Sequence, residues 1–190
     1  MLDFDAVRKK EKTFDDLLVG LTTDDLRQLT NEMVDTMQEL IAGARDQDVQ
    51  FEPEDPGAHD AAAKTEAEVN MPWTLGHVIV HVTASAEEAA FLAAEMARGV
   101  PPHGRSRSEL HWTEMETIED CRLRLEESRR MRLATLDVWP DKPFVDNIQQ
   151  SERSGNINCY KRFIFGLSHD DSHLDHIKDI VEQAQAARQG

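Results

Sequence analysis

An all-α fold, an antiparallel four-helix bundle with a short N-terminal segment and long loops, is what this 190-residue sequence predicts. Three observations predict it. Four long stretches place apolar residues at three- and four-residue steps, the period of a helix with one buried face. Start and stop signals bracket those stretches. No run of convincing length alternates with the period of two that a half-buried strand needs.

The opening segment carries Leu2, Phe4, Val7, Phe14, Leu17, Leu18 and Leu21 among charges, and is expected to form a short helix covering the bundle. Thr23-Asp24-Asp25 reads as the capped start of the first long helix. Its Leu26, Leu29, Met33, Met37, Leu40, Ile41 and Ala44 share one face, and Gly43 and Arg45-Asp46 are its stop signals. Residues 46–72, punctuated by Pro53, Pro56, Gly57 and Pro72, form a long connection. Ordered segments of that length often lie over a core or near a functional site. Trp73-Thr74 opens a second helix that runs to about Arg98, where Gly99 and Pro101-Pro102 end it. Thr113-Glu114-Met115-Glu116 has the form of a capping box and starts the third helix, with Ile118, Leu125, Met131, Leu133 and Leu136 as its apolar positions. Trp139-Pro140-Asp141 stops it, and residues 140–160 read as an irregular connection. The fourth helix starts near Asn158 to Tyr160 and continues to about Ala187. The four segments fit one domain spanning residues 1–190.

A hydrophobic content of 39% and a charged content of 31% belong to an ordinary globular chain. The net charge of −16 argues against a nucleic-acid partner, which needs a dense basic surface, and against docking on anionic membranes. No stretch approaches the roughly 18 apolar residues of a membrane span. The N-terminus, MLDFDAVRKKEKTFDD, is too charged for a signal peptide. Cys121 and Cys159 lie far apart without a CxxC spacing, and read as reduced thiols of a cytoplasmic protein.

Chemistry concentrates in the histidines. Of eight, five fall in two helices. His169 and His173 are spaced i, i+4, so their Cβ atoms sit about 5–6 Å apart on a helix. Two imidazoles so placed reach one metal ion at about 2.0–2.1 Å. His176 continues that stripe toward Ile177, Ile180 and Ala184. His77 and His81 repeat the spacing on the second helix, where His81 shares a face with Ala84, Ser85, Glu88 and Leu92. Bundle cores build metal sites from facing helices in this way. On the residues alone, a core polar cluster and a metal site both account for the pattern.

Trp73-Thr74-Leu75 with a histidine eight residues after the tryptophan, the signature His169-Asp170-Asp171-Ser172-His173, and the order of the helices and loops together resemble the DinB/YfiT-like superfamily from about Leu21 to Ala184. The resemblance implies that His81, His169 and His173 bind one divalent ion, zinc or nickel, at one end of the bundle. It also implies a homodimer, a small-molecule substrate and, as in the relatives that use bacillithiol or mycothiol, a low-molecular-weight thiol as cosubstrate. The expected activity is metal-dependent thiol S-transfer or a related detoxification. The rival readings are a metal-dependent hydrolase and a non-catalytic stress-response or dimerisation bundle. His176 departs from the family pattern, which commonly has glutamine there. His77 is extra and suits a pocket rim.

Other polar residues have blander readings. Asp170 reads as a solvated flank, with support of the neighbouring His169 as its alternative, and Glu88 as a support for an imidazole or a partner of another helix. Arg129, Arg130 and Arg132 read as a solvated face pairing with Glu126 and Glu127. Arg105 and Arg107, between His103 and His111-Trp112, read as a surface loop whose alternative role is to hold a substrate carboxylate.

Overall fold

A computed structural model describes residues 1–59, 65–66, 68–104 and 110–189. The helices in chain order are α1 (Phe4–Arg8), α2 (Phe14–Leu17), α3 (Thr23–Leu40), α4 (Asp46–Val49), α5 (Leu75–Ala97), α6 (Ile118–Asp137), α7 (Cys159–Ser172) and α8 (Leu174–Ala187). A 3-10 turn, Trp112–Glu114, precedes α6. The chain is mostly helical, as expected of an all-α protein.

Local chemistry sets the helix starts. Thr22 caps α3 in a reciprocal box: its Oγ1 accepts from the Asp25 amide at 3.2 Å, while Asp25 accepts from the Thr22 amide at 2.8 Å. The cap therefore falls one residue before the expected Thr23. Thr74 caps α5 as the sequence predicts, accepting from the His77 amide at 3.2 Å. The third long helix starts later than expected. Thr113 lies in the 3-10 turn and Met115 is extended, so the capping box is Thr117 with Asp120. The pattern Thr-x-x-acid occurs twice in succession, and only the second copy directly precedes the helix.

Two corrections bear on the site. Residues 140–160 are not wholly irregular: β1 (Gln149–Ser151) pairs antiparallel with β2 (Gly155–Ile157) in a short hairpin. Three residues per strand are too few to show alternation, and Gly155 supplies the positive φ of 65° at the turn. The fourth helix is also not continuous. Ser172 Oγ donates to the His169 carbonyl at 2.7 Å, and the His173 amide turns to the Asp170 carbonyl at 3.0 Å. His173, at φ −106° and ψ 0°, ends α7 and opens α8.

The core is formed by the inward faces of the long helices, with Leu26, Met33 and Met37 of α3 meeting Ile79, Leu125, Phe163 and Ile177. α5 makes its widest contact with α7 and its next with α6, while α3 lies against α6, α7 and α8. The α5–α7 approach is close because Gly166 lacks a side chain. A Cβ there would sit 3.0 Å from Ala86 Cα and 3.0 Å from Ala89 Cβ. The N-terminal segment forms two short helices where one was expected. It is tied to α7 by Lys161, which donates to both Asp15 oxygens at 3.0 Å, and by Phe14, edge-on to Phe165 at 4.8 Å.

Among its described residues, the 46–72 connection contains one short helix, α4. Asp46 accepts from the Ile118 amide at 3.0 Å, and the Glu54 amide donates to Gln183 at 2.8 Å, so this part of the chain lies across the start of α6 and the outside of α8.

Gly166→Val should destabilise the fold by about 1–3 kcal/mol, because overpacking this crossing outweighs the roughly 0.4 kcal/mol that a helix gains on exchanging glycine for valine. Urea unfolding midpoints of the two proteins measure it.

Candidate metal centre

Three side chains from two separated parts of the chain converge near one end of α5. His81 projects from α5, His169 from the last turn of α7, and His173 from the α7–α8 joint. One ligating atom from each lies within 4.8 Å of the others. His81 Nε2 and His169 Nε2 are 3.0 Å apart. Two imidazole nitrogens at that distance share a proton when no cation lies between them. Four-coordinate bonds of about 2.0–2.1 Å would set neighbouring donors about 3.3 Å apart, so small side-chain shifts suffice to close the set on one ion. All three rings are half-buried, which leaves the group reachable from solvent. The donor set therefore fits a divalent metal.

Burial, with His169 and His176 nearby, lowers the His173 pKa to about 4. Its ring is neutral at neutral pH, with a lone pair to offer.

The remaining histidines sort themselves by geometry. His77 is buried between two indoles, stacked on Trp73 at 4.6 Å and on Trp112 at 5.6 Å. Trp73 in turn stacks on His173 at 5.6 Å and meets His81 edge-on at 4.6 Å. One indole thus restrains two of the three candidate ligands. His176 Nε2 lies 3.2 Å from Asp55 Oδ2, within ion-pair range though without hydrogen-bond alignment. That contact draws His176 toward the 46–72 connection, and it is not among the three converging residues. His103 and His111 pair with Glu95 and Glu68 at the surface. Arg105 and Arg107 lie outside the described residues.

Two acid–base readings are corrected. Asp170 is no solvated flank: its side chain is 0% exposed and accepts from Arg132 Nη1 at 2.6 Å, with Arg132 itself 2% exposed. Burial pushes the Asp170 carboxyl up to about 6 against the pull of Arg132. Arg129 and Arg130 do pair with Glu126 and Glu127 as expected, but Arg132 points inward from the same helix. Beside it, Arg124 bridges Glu87 and the Thr83 hydroxyl. The residue after His169 is thus fixed to α6 by a buried charge pair. Cys121 and Cys159 are free and buried, and burial pushes their thiols up to about 12 and about 11, so neither is a ready nucleophile.

A cleft of about 220 Å³ opens between α5 and α7 directly beside the histidines. His81, Ser85 and Glu88 line one wall, and His169, Phe165 and Arg162 the other. Glu88 thus lies on the His81 face, as the sequence predicts. Arg162 and Phe165 had escaped notice, although they stand seven and four residues before His169 on the same helical stripe.

No protein-family profile, curated protein or solved structure matches the chain. What the molecule does must be argued from its own residues.

Two measurements follow from the geometry. Arg132→Met should cost about 3–5 kcal/mol at pH 7 by leaving Asp170 buried and unpaired. The loss should be smaller at pH 5, where protonation neutralises the lone carboxyl, and Arg132→Met with Asp170→Leu should recover most of it. Urea unfolding at both pH values tests this. In metal-free protein, folded His173 resists protonation down to about pH 4, whereas the unfolded chain takes that proton near 6.5. The unfolded state binds more protons between those values. This part of the stability is whole above pH 6.5 and is lost as pH falls toward 4. Chelated His173→Gln protein should show a shallower loss over that window than the chelated native chain.

Proposed function

We propose that the chain is a divalent-metal-binding protein of the DinB/YfiT-like kind, its long helices forming an antiparallel four-helix bundle, with His81, His169 and His173 as the ligands. One observation carries the reading: imidazoles from two distant parts of the chain, His81 and the pair His169 and His173, have donor atoms within 4.8 Å of one another. A core polar cluster has no need for such convergence of half-buried rings beside an open cleft. Three nitrogen ligands leave coordination positions for an exogenous group, the arrangement of catalytic rather than structural zinc. His176, held toward Asp55, does not close the set.

An ion bound there, zinc or nickel, supplies Lewis acidity that makes a thiol or a water nucleophilic at neutral pH. The chain's own part is to hold and shape. Trp73 keeps two imidazoles in place by stacking, the Arg132–Asp170 pair fixes the turn that carries His169, and the cleft walls admit a small molecule. We assign the activity to thiol S-transfer with a low-molecular-weight thiol, or a related detoxification, in a cytoplasmic homodimer. The buried, unreactive cysteines support this, since the chain offers no accessible thiol of its own. A hydrolase is the second reading, and Glu88 favours it: a carboxylate in the same cleft as His81 is placed to serve as a base toward water.

Untagged protein is expected to hold about one zinc or nickel ion per chain by elemental analysis. His81→Ala with His173→Ala should abolish binding while the fold persists by circular dichroism. A native chain that takes up no divalent ion at neutral pH would return the histidines to a packing role.

A further inference from the structure

The cleft is longer than a metal site requires. Along α5 its wall runs from His81 through Ser85 and Glu88 to Leu92, and along α7 from His169 through Gly166 and Phe165 to Arg162. The seven-residue step from Arg162 to His169 is two helical turns, about 10 Å of axis. A cation therefore stands two turns from the ligands, on the same wall. It is braced on two sides: Arg162 Nη2 donates to Gln149 of the hairpin, and its guanidinium carbon lies 6.0 Å from the centre of the Phe165 ring. Phe165 is backed by Phe14 of α2. The volume of about 220 Å³ is below the range of drug-sized pockets, so the occupant is a small molecule.

We propose that the cleft binds a small carboxylate lengthwise, its anionic end on Arg162, its chain across Phe165 and Leu92, and its reactive end at the His81–His169 site. This rests on the metal-site reading and adds to it the class of substrate. Arginine offers a planar fork matched to a carboxylate, and a charge-assisted bond in a recessed cleft is stronger than one at an open surface. The length of the cleft sets the spacing between the anion and the reacting atom.

The test uses ω-mercaptohexanoate and its neutral counterpart ω-mercaptohexanol. Both are titrated into cobalt(II)-loaded protein and followed by the sulfur-to-cobalt charge-transfer band, while hexanoate and hexanol are titrated into metal-free protein by calorimetry. Both thiols are expected to give the band, with the carboxylate binding about ten-fold more tightly. Arg162→Gln should bring the carboxylate to the affinity of the alcohol and leave the alcohol unchanged. Arg162→Lys keeps the charge without the fork, and should retain the native melting temperature with a severalfold smaller preference. Equal affinities in the native protein, or a preference undiminished in both variants, would overturn the carboxylate subsite and leave the metal site standing. Failure to bind cobalt would instead sink the metal reading. Calorimetry then decides the subsite alone: hexanoate binding lost in Arg162→Gln upholds it, and hexanoate no better than hexanol overturns it.

Discussion

The closeness of α5 and α7 at Gly166 governs the rest of the site. With no side chain at that position, the backbone of α7 settles against Ala86 and Ala89. The two helices then bring the Nε2 atoms of His81 and His169 to 3.0 Å, and a cleft runs along the same contact from these histidines to Leu92 and Arg162. A wider crossing would separate the imidazoles, and a uniformly tight one would leave no space for a ligand. Small residues at the contact and larger ones beyond it produce both features from one piece of packing.

Electrostatics work against that packing and are managed by burial in pairs. The chain is strongly acidic, yet beneath the histidines it encloses Arg132 with Asp170, and beside them Arg124 with Glu87. Burial raises both carboxyls, and the arginines oppose the rise. Removing either member of a pair would leave a charge in a medium that cannot solvate it. Such pairs contribute less to net stability than to placement, because they hold only when α6 is correctly in register with α7, through Arg132 and Asp170, and with α5, through Arg124 and Glu87.

Much of this was legible in the sequence, for identifiable reasons. Helical periodicity and caps located the long helices, since those signals are local. The i, i+4 histidines, with His81 singled out on the Trp-led helix by the resemblance, are the three residues that converge. What escaped depends on the third dimension. Arg132 and Asp170 look like members of charged runs, because a run does not reveal which residue turns inward. The hairpin strands are too short to show a period. The break at His173 arises from a serine side chain competing for a carbonyl, and sequence alone does not tell whether Ser172 faces its own backbone or solvent. Thr113-x-x-Glu116 imitates a cap one turn too early, and nothing local distinguishes it from the true one.

That break has mechanical meaning. A ligand in mid-helix is rigidly tied to its neighbours, but His173 sits at a joint, with α8 as the arm beyond it. The arm is fastened along its outer side: His176 to Asp55, Gln183 to Glu54, and Arg188 to Asp48, the last at 3.3 Å. A torque that seats the His173 ring must swing the same arm that carries these fastenings. Closing the three histidines on an ion, as proposed above, would share its work with the 46–58 stretch, and a loosened fastening there would by reciprocity weaken that grip.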